Sequence, residues 1–456
     1  MEKTKIPFST GERILVEIEG LNHAGEGVSH LDGFTVFVPW TAPGDKVEAE
    51  VISLKKNYAR ALPCALHRPS LDRLEADCPH HGICGGCQLQ HIRYSKQLHW
   101  KRQIVADMLQ RLGGLHVKVN PVIGMDDPWS YRNKAQFPVA DDNGNLKIGL
   151  FEKRSHKVVD VHECLIQHPL NLQAVEVARE LIEKLKIPIY NEQTHSGLLR
   201  HLLARTSFSK KELLLVLVTN GRLLPGADYL VTQLASRLKN LVGIVQNINT
   251  RRGNVVLGEE NLLLWGRDYL VEELNGLCFH ISAGSFFQVN SRQAAVLFKL
   301  VRDYAQIKGG EIIFDLYCGS GAISLFLCKN AGKVIGVESY APAVRDARKN
   351  ARLNGITNVE FYTGRAEELM PELIARGYRA DIVVVDPPRK GCDEELLAAI
   401  VKSRPQRIIY VSCNPATLAR DLRYLAASGH IPGEVQPVDM FPHTPHVECA
   451  TLMSRL

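Results

Sequence analysis

No apolar run in the sequence is long enough to cross a bilayer. The longest, Ile382–Val385 and Leu213–Val218, are strand-sized and flanked by charge. The first residues, Met-Glu-Lys-Thr-Lys-Ile-Pro-Phe-Ser-Thr, lack the apolar centre of a secretory leader, so no membrane is expected and the cytoplasm is the expected compartment. Charge of one sign is also scarce. A net +6 is compatible with nucleic-acid binding without requiring it. Eleven cysteines, an odd number, do not suit a disulfide framework, and in a reducing compartment they point to metal binding or catalysis. Internal repeats and low-complexity tracts are absent. What remains is 456 residues, 45% apolar and 23% charged, the profile of a globular chain too long for one core.

Residues 1–68 read as a small β domain. Ile14–Ile18, Thr35–Val38 and Lys46–Ser53 alternate apolar and polar residues, with Gly20, Gly25, Gly27, Gly33 and Gly44 between them, which suggests a barrel of oligonucleotide-binding type. Its last stretch carries Lys55, Lys56, Arg60, Arg68 and Arg73, with Tyr58 interleaved. It reads either as a surface that neutralises phosphates and stacks a base or as a solvated basic face. A mixed α+β region, 69–280, holds a dense Cys/Gly/His segment at 78–91. A helical stretch over 95–114 follows, with Ile104, Met108 and Leu112 in helical spacing, and it is a candidate for packing on the last domain. Asn143-Gly144 marks a hairpin between Gln136–Val139 and Lys147–Phe151, and Ala174–Leu185 an amphipathic helix.

The last domain, 281–456, has a different rhythm. Glu311–Asp315, Val334–Glu338, Ile382–Asp386 and Arg407–Val411 are short apolar runs separated by turns and helices. One helix is Ala343–Leu353, stopped by Asn354-Gly355. Strands alternating with helices imply a doubly wound α/β sheet of Rossmann type.

The first strand of that sheet runs into Asp315-Leu316-Tyr317-Cys318-Gly319-Ser320-Gly321, and the second ends in Glu338, a carboxylate able to accept both hydroxyls of a ribose. The third glycine of a dinucleotide fingerprint is replaced by Ser324. S-adenosylmethionine, which has a ribose and no pyrophosphate, fits this pattern better than a dinucleotide. The plain alternative is a glycine turn with a surface Glu. The third strand ends in Asp386-Pro387-Pro388-Arg389-Lys390-Gly391 and the next in Ser412-Cys413-Asn414-Pro415. The proline pair fixes the chain direction after Asp386. Asp386 and Cys413 are thus expected on the same sheet edge as the glycine loop.

A cysteine there suits one kind of methyl transfer. Carbon 5 of a pyrimidine is a poor nucleophile. A thiolate added to carbon 6 converts the ring to an enolate that attacks an electrophilic methyl, after which a base removes the carbon-5 proton and the thiol leaves. A lone cysteine is otherwise commonly a small buried hydrophobe.

Taken together, these residues resemble the RNA (uracil-5-)-methyltransferases. The matching segments are Ser285-Phe286-Phe287-Gln288-Val289-Asn290, Asp315–Gly321, Glu338, Asp386–Gly391, Ser412–Pro415 and His446-Val447-Glu448. The amino-terminal segment looks like a TRAM domain. The resemblance implies that Gln288, Tyr317, Glu338 and Asp386 contact S-adenosylmethionine or its surroundings. It implies Cys413 as nucleophile, Glu448 as the base and Phe286 near the target base. Ala322 stands where some relatives place an amide.

Cys78, Cys84 and Cys87, with Cys164 as a distant fourth, look like the [4Fe–4S] site of the ribosomal-RNA branch, the 23S enzymes. Dense thiolates bind iron–sulfur or zinc, and spacing alone does not separate them. The transfer-RNA branch in bacteria generally lacks this set, so the implied partner is ribosomal RNA, with transfer RNA as the alternative. His80, His81 and His91 read as surroundings of the cysteines. An amino-methyltransferase is disfavoured, because Arg389 occupies the place of its aromatic and Cys413 has no use there. A cytosine-5 enzyme usually sets its cysteine after Pro or Thr, whereas Ser412 precedes it here. A catalytically idle RNA-binding protein is disfavoured by the intact set of Gln288, Glu338, Asp386, Cys413 and Glu448.

Overall fold

The computed structural model describes residues 7–455. Strands β1 (Arg13–Glu17), β2 (Gly20–Leu21), β3 (Gly27–Leu31), β4 (Phe34–Val38), β5 (Lys46–Leu54) and β6 (Tyr58–Arg68) form one sheet in the order β1-β5-β6-β4-β3-β2. Strict alternation along β1 and β4 sends Ile14, Val16, Phe34, Val36 and Val38 inward around a core of their own. The cysteine segment follows without regular structure, then helix α1 (Tyr94–Arg111). Val105 and Leu109 of α1 join a core with Leu418 and Leu422, so this helix packs on the carboxy-terminal part of the chain.

A second sheet, of seven strands, begins with β7 (Lys134–Asp142) and β8 (Asn145–Phe151), the hairpin expected around Asn143-Gly144. It continues through β9 (Val158–Asp160), α2 (Pro169–Leu185), β10 (Leu199–Thr206), β11 (Leu213–Thr219), α3 (Ala227–Arg237), β12 (Leu241–Ile248) and β13 (Glu260–Gly266), in the order β13-β12-β11-β10-β7-β8-β9. Strand β11, Leu-Leu-Leu-Val-Leu-Val-Thr, is buried along its whole length. An apolar strand needs cover on both faces. Helices α2 and α3 supply one cover. The other comes from the hairpin β14 (Tyr269–Leu274)–β15 (Leu277–Ser282) and helix α4 (Ser291–Ala305), in a core shared with the last sheet.

That last sheet contains β16 (Ile312–Leu316), α5 (Ala322–Leu327), β17 (Lys333–Glu338), α6 (Ala341–Leu353), β18 (Val359–Thr363), α7 (Ala366–Ala375), β19 (Ile382–Val385), α8 (Glu394–Ser403), β20 (Arg407–Ser412) and α9 (Pro415–Ala427). The five strands β18-β17-β16-β19-β20 are parallel, as strand–helix alternation requires. The fold is the α/β class expected, with one addition. Strands β21 (His430–Val438) and β22 (Glu448–Arg455) close the edge as an antiparallel hairpin beside β20. Among the described residues no helix is long and apolar enough to cross a membrane.

Candidate active site

The carboxyl ends of the parallel strands open on a cavity of about 660 Å³. Gln288, Tyr317, Glu338, Asp386, Cys413 and Glu448, the six residues singled out from the sequence, all line it, and Phe286 lies at its wall with 67% of its surface exposed. Strand ends are where open α/β sheets leave room for a ligand, because loops diverge there to helices on opposite faces.

The turn after β16 is the tightest part. Tyr317 takes φ +67°, rare for a residue with a side chain, and its buried hydroxyl has no partner among the described residues. At Gly321, φ +83°, a Cβ would lie 2.9 Å from Phe361 Cζ and 3.0 Å from Ala347 Cβ, so only glycine lets the turn settle against α6 and β18. Glu338 is held from its own neighbourhood: Gly319 N–H (3.2 Å) and Tyr340 N–H (2.7 Å) donate to its carboxylate.

Ser324, the departure from the glycine fingerprint, donates its hydroxyl to Asp315 Oδ2 at 2.5 Å. Asp315 Oδ1 is left buried without a partner, and burial pushes this carboxyl up to about 7, with Asp386 and Glu338 adding to the rise. Asp315 stood in the sequence only as the end of the first strand's apolar run and the start of the glycine loop, with no role of its own. The acid at a strand end, followed by a serine one turn into α5, was the signal that marks it.

Cys413 and Glu448 meet because of the antiparallel edge. The last ladder pair of β20 and β22 is Ser412 with Cys449, which sets Cys413 and Glu448 side by side one step beyond it. Asn414 caps α9 by accepting Ala416 N–H (3.1 Å) and donates to Arg389 O (2.9 Å), tying the cysteine turn to the Asp386–Gly391 turn. Glu448 is 4% exposed. Burial raises its carboxyl, the nearby Asp386 charge raises it further, and Arg389 opposes them. Asp386 is raised by burial. Burial pushes the Cys413 thiol up to about 11, with Glu448 and Asp386 adding to this and Arg389 opposing it. Six carboxyl groups, of Asp315, Glu338, Glu367, Asp386, Asp393 and Glu448, thus line one cavity. Such a wall favours a cationic ligand. His446 lies exposed at the mouth, with Nε2 3.3 Å from Arg389 Nη2.

The four cysteines Cys78, Cys84, Cys87 and Cys164 are half-buried in one neighbourhood. Burial pushes Cys84 up to about 11 and Cys87 to about 12, and the other cysteines add to both rises. Cys84 Sγ accepts Gly86 N–H at 3.3 Å. Among the described residues no group of three or more His, Cys, Asp or Glu side chains is arranged to hold a metal ion. His81 and His91 pair with each other, Nε2 to Nδ1 at 3.0 Å.

The basic stretch, which runs from the end of β5 through β6, is less open than its composition suggests. Arg60 pairs with Glu26, Arg68 with Glu17 and Arg73 with the fully buried Asp45, while Tyr58 packs on Phe37. Lys55 and Lys56 are exposed and have no ion pair among the described residues.

Residues 93–456 match the family described as tRNA (Uracil-5-)-methyltransferase, and residues 7–62 match the TRAM domain. An uncharacterised RNA methyltransferase of Halalkalibacterium halodurans is 45% identical over 454 residues, 99% of each chain. Another, from Caldanaerobacter subterraneus, is 42% identical over 456 residues, all of both chains. Among solved structures, the Pyrococcus abyssi tRNA (uracil-54, C5)-methyltransferase in complex with S-adenosyl-L-homocysteine is 30% identical with a TM-score of 0.77, over 97% of this chain and 100% of that one. The chain is an RNA methyltransferase and belongs to the tRNA (uracil-5-)-methyltransferase family, with a TRAM domain near its amino end.

Proposed function

We propose that the protein methylates carbon 5 of a uridine in RNA with S-adenosylmethionine, using Cys413 as a covalent nucleophile. The observation that carries this is the meeting of Cys413, Glu448 and Asp386 on the wall of one cavity that also holds the glycine turn and Glu338. Gln288, Tyr317, Glu338 and Asp386 hold the cofactor, whose contribution when bound is an electrophilic methyl on a positive sulfur. The carboxylate-rich wall suits that charge, and a cation against Asp386 and Glu448 removes part of what keeps the thiol protonated.

The Cys413 thiolate adds to carbon 6, and the displaced electron pair makes carbon 5 nucleophilic. Once carbon 5 carries the methyl, Glu448 takes its proton. The carbon 5–carbon 6 double bond re-forms, and the carbon–sulfur bond breaks with its pair returning to sulfur. Exposed Phe286 offers the extruded base a stacking face. The test is incubation with labelled cofactor and RNA tritiated at uracil carbon 5. Tritium release equal to methyl gain is expected, and methyl gain with tritium retained overturns the reading.

The substrate proposed is ribosomal RNA, of the 23S type, on the strength of the four cysteines, read as holding a [4Fe–4S] cluster. The donor set is of the right kind: four half-buried thiols lie close enough to raise one another, and dense thiolates bind iron–sulfur or zinc. A second reading, transfer RNA, is favoured by the description of the matching family and of the solved relative. Mapping the methylated nucleotide in total RNA decides between them. We further propose division into 1–68, 69–280 and 281–456, and a cytoplasmic site of action.

A further inference from the structure

The connection between β21 and β22, Asp439–Val447, is no ordinary hairpin loop. Loops at an edge commonly run over the surface, where water satisfies the backbone. This one is buried along most of its length, and its carbonyls are satisfied by groups from distant parts of the chain. Asp439 O accepts from Gln293 Nε2 (3.1 Å), Met440 O from Asn290 Nδ2 (3.1 Å), Phe441 O from Lys101 Nζ (3.0 Å) and Pro442 O from Tyr131 Oη (3.0 Å). His443 O accepts two backbone N–H groups, from Gln88 (3.0 Å) and Leu89 (2.9 Å), directly after Cys87. His443 sits at φ +65°, its ring stacked on Trp129 at 3.8 Å and its N–H given to Gln97 Oε1 at 3.0 Å.

Lys101 holds two points of this strap. Its ammonium, with a side chain 0% exposed, also meets the equally buried Asp439 carboxylate at 2.5 Å, and Tyr94 Oη donates to the other oxygen at 2.8 Å. A buried ion pair is costly and is often replaceable by apolar groups where only stability is at stake. Here it clamps the start of the segment that places Phe441 and His446 on the cavity and ends in Glu448.

We propose that Lys101 is a positioning residue for Glu448, acting through Asp439 and the Phe441 carbonyl, with Tyr131 as a second clamp. The inference rests on the reading of Glu448 as the base. Helix α1, outside the sheet, thereby fixes where the proton acceptor stands. Loosening the clamp leaves thiol addition and methyl transfer intact and slows the proton removal and carbon–sulfur cleavage that follow.

The test pairs Lys101→Met/Asp439→Asn, which removes both charges together, with Glu448→Gln and the parent protein. Each is measured for thermal midpoint, kcat, the two KM values and the fraction of enzyme trapped on RNA as a methylated adduct on denaturing gels. The double variant is expected to melt near the parent. Its kcat should fall at least about tenfold, as misplacement of a catalytic group does, with KM values within about twofold and with adduct accumulating. A kcat that stays at the parent value, or one that falls without adduct, overturns the proposal. Should the double variant not fold, Tyr131→Phe decides, since it conserves volume and removes only the donor to Pro442 O. A lower kcat with adduct supports the clamp, and parent kcat ends it. Glu448→Gln that turns over normally sinks the base reading itself. Glu448→Gln that accumulates adduct beside a Lys101 variant that does not sinks only this inference.

Discussion

The cavity at the sheet edge and the cysteine segment both gather reactive side chains, but they are built in opposite ways. At the sheet edge Tyr317, Glu338, Asp386, Cys413 and Glu448 sit on or beside strand ends, and the ladder register brings Cys413 beside Glu448. In the cysteine segment no strand or helix holds the sulfurs. Its backbone is instead pinned by scattered bonds, such as Gly85 N–H to Phe151 O at 2.9 Å. The lesson is that a site built on a sheet is placed by the chain itself, whereas a site built on a loop takes its closed form from what it binds.

The largest expected effect falls on the first region. Cys413→Ala should lower turnover by at least about 10⁴-fold, with cofactor affinity by calorimetry within about twofold, because the cofactor-holding turns are built independently of the thiol. Cys87→Ser tests the other region. Iron and sulfide in the purified protein should be lost and the thermal midpoint should drop. Turnover should fall about tenfold through the Gln88 and Leu89 bonds to His443, with cofactor affinity unchanged. Unchanged iron content would break the contrast drawn here.

A pH measurement sharpens the account of the cavity. The folded Asp315 carboxyl lies at about 7 against 3.8 for the free group, so its contribution to stability is full below about 4 and lost as pH rises through about 7. Denaturant titrations of the cofactor-free protein should show stability falling over that window, and Asp315→Asn should flatten the fall. The smallest effect is expected at the barrel. Lys55→Ala/Lys56→Ala should weaken RNA binding several-fold and reduce the slope of log affinity against log salt by roughly two, leaving kcat unchanged.

Much of the catalytic sheet was legible in the sequence because parallel strands buried on both faces read as short apolar runs, and those runs end at functional residues. The antiparallel closure by β21 and β22 was not. Pro432, Gly433 and Pro437 interrupt the first of these strands, and alternation in the second is masked by burial of Glu448 through Thr451. Asp315 and Lys101 escaped for a related reason: an acid in an apolar run and a lysine in a basic helix look ordinary until their burial is known. In the basic stretch the sequence did not show that its arginines pair with carboxylates far away in the chain. The cysteine spacing suggested metal chemistry and did not separate iron–sulfur from zinc.

The central claim is that sulfur attacks carbon 6 from position 413. It is tested most directly by incubating the protein with cofactor and RNA carrying 5-fluorouridine, where fluorine blocks the final elimination, and then mapping the trapped peptide by mass spectrometry. One RNA nucleotide plus one methyl group on Cys413 is the expected result. A methyl-bearing product with no protein–RNA bond, or a bond to any other residue, would contradict it.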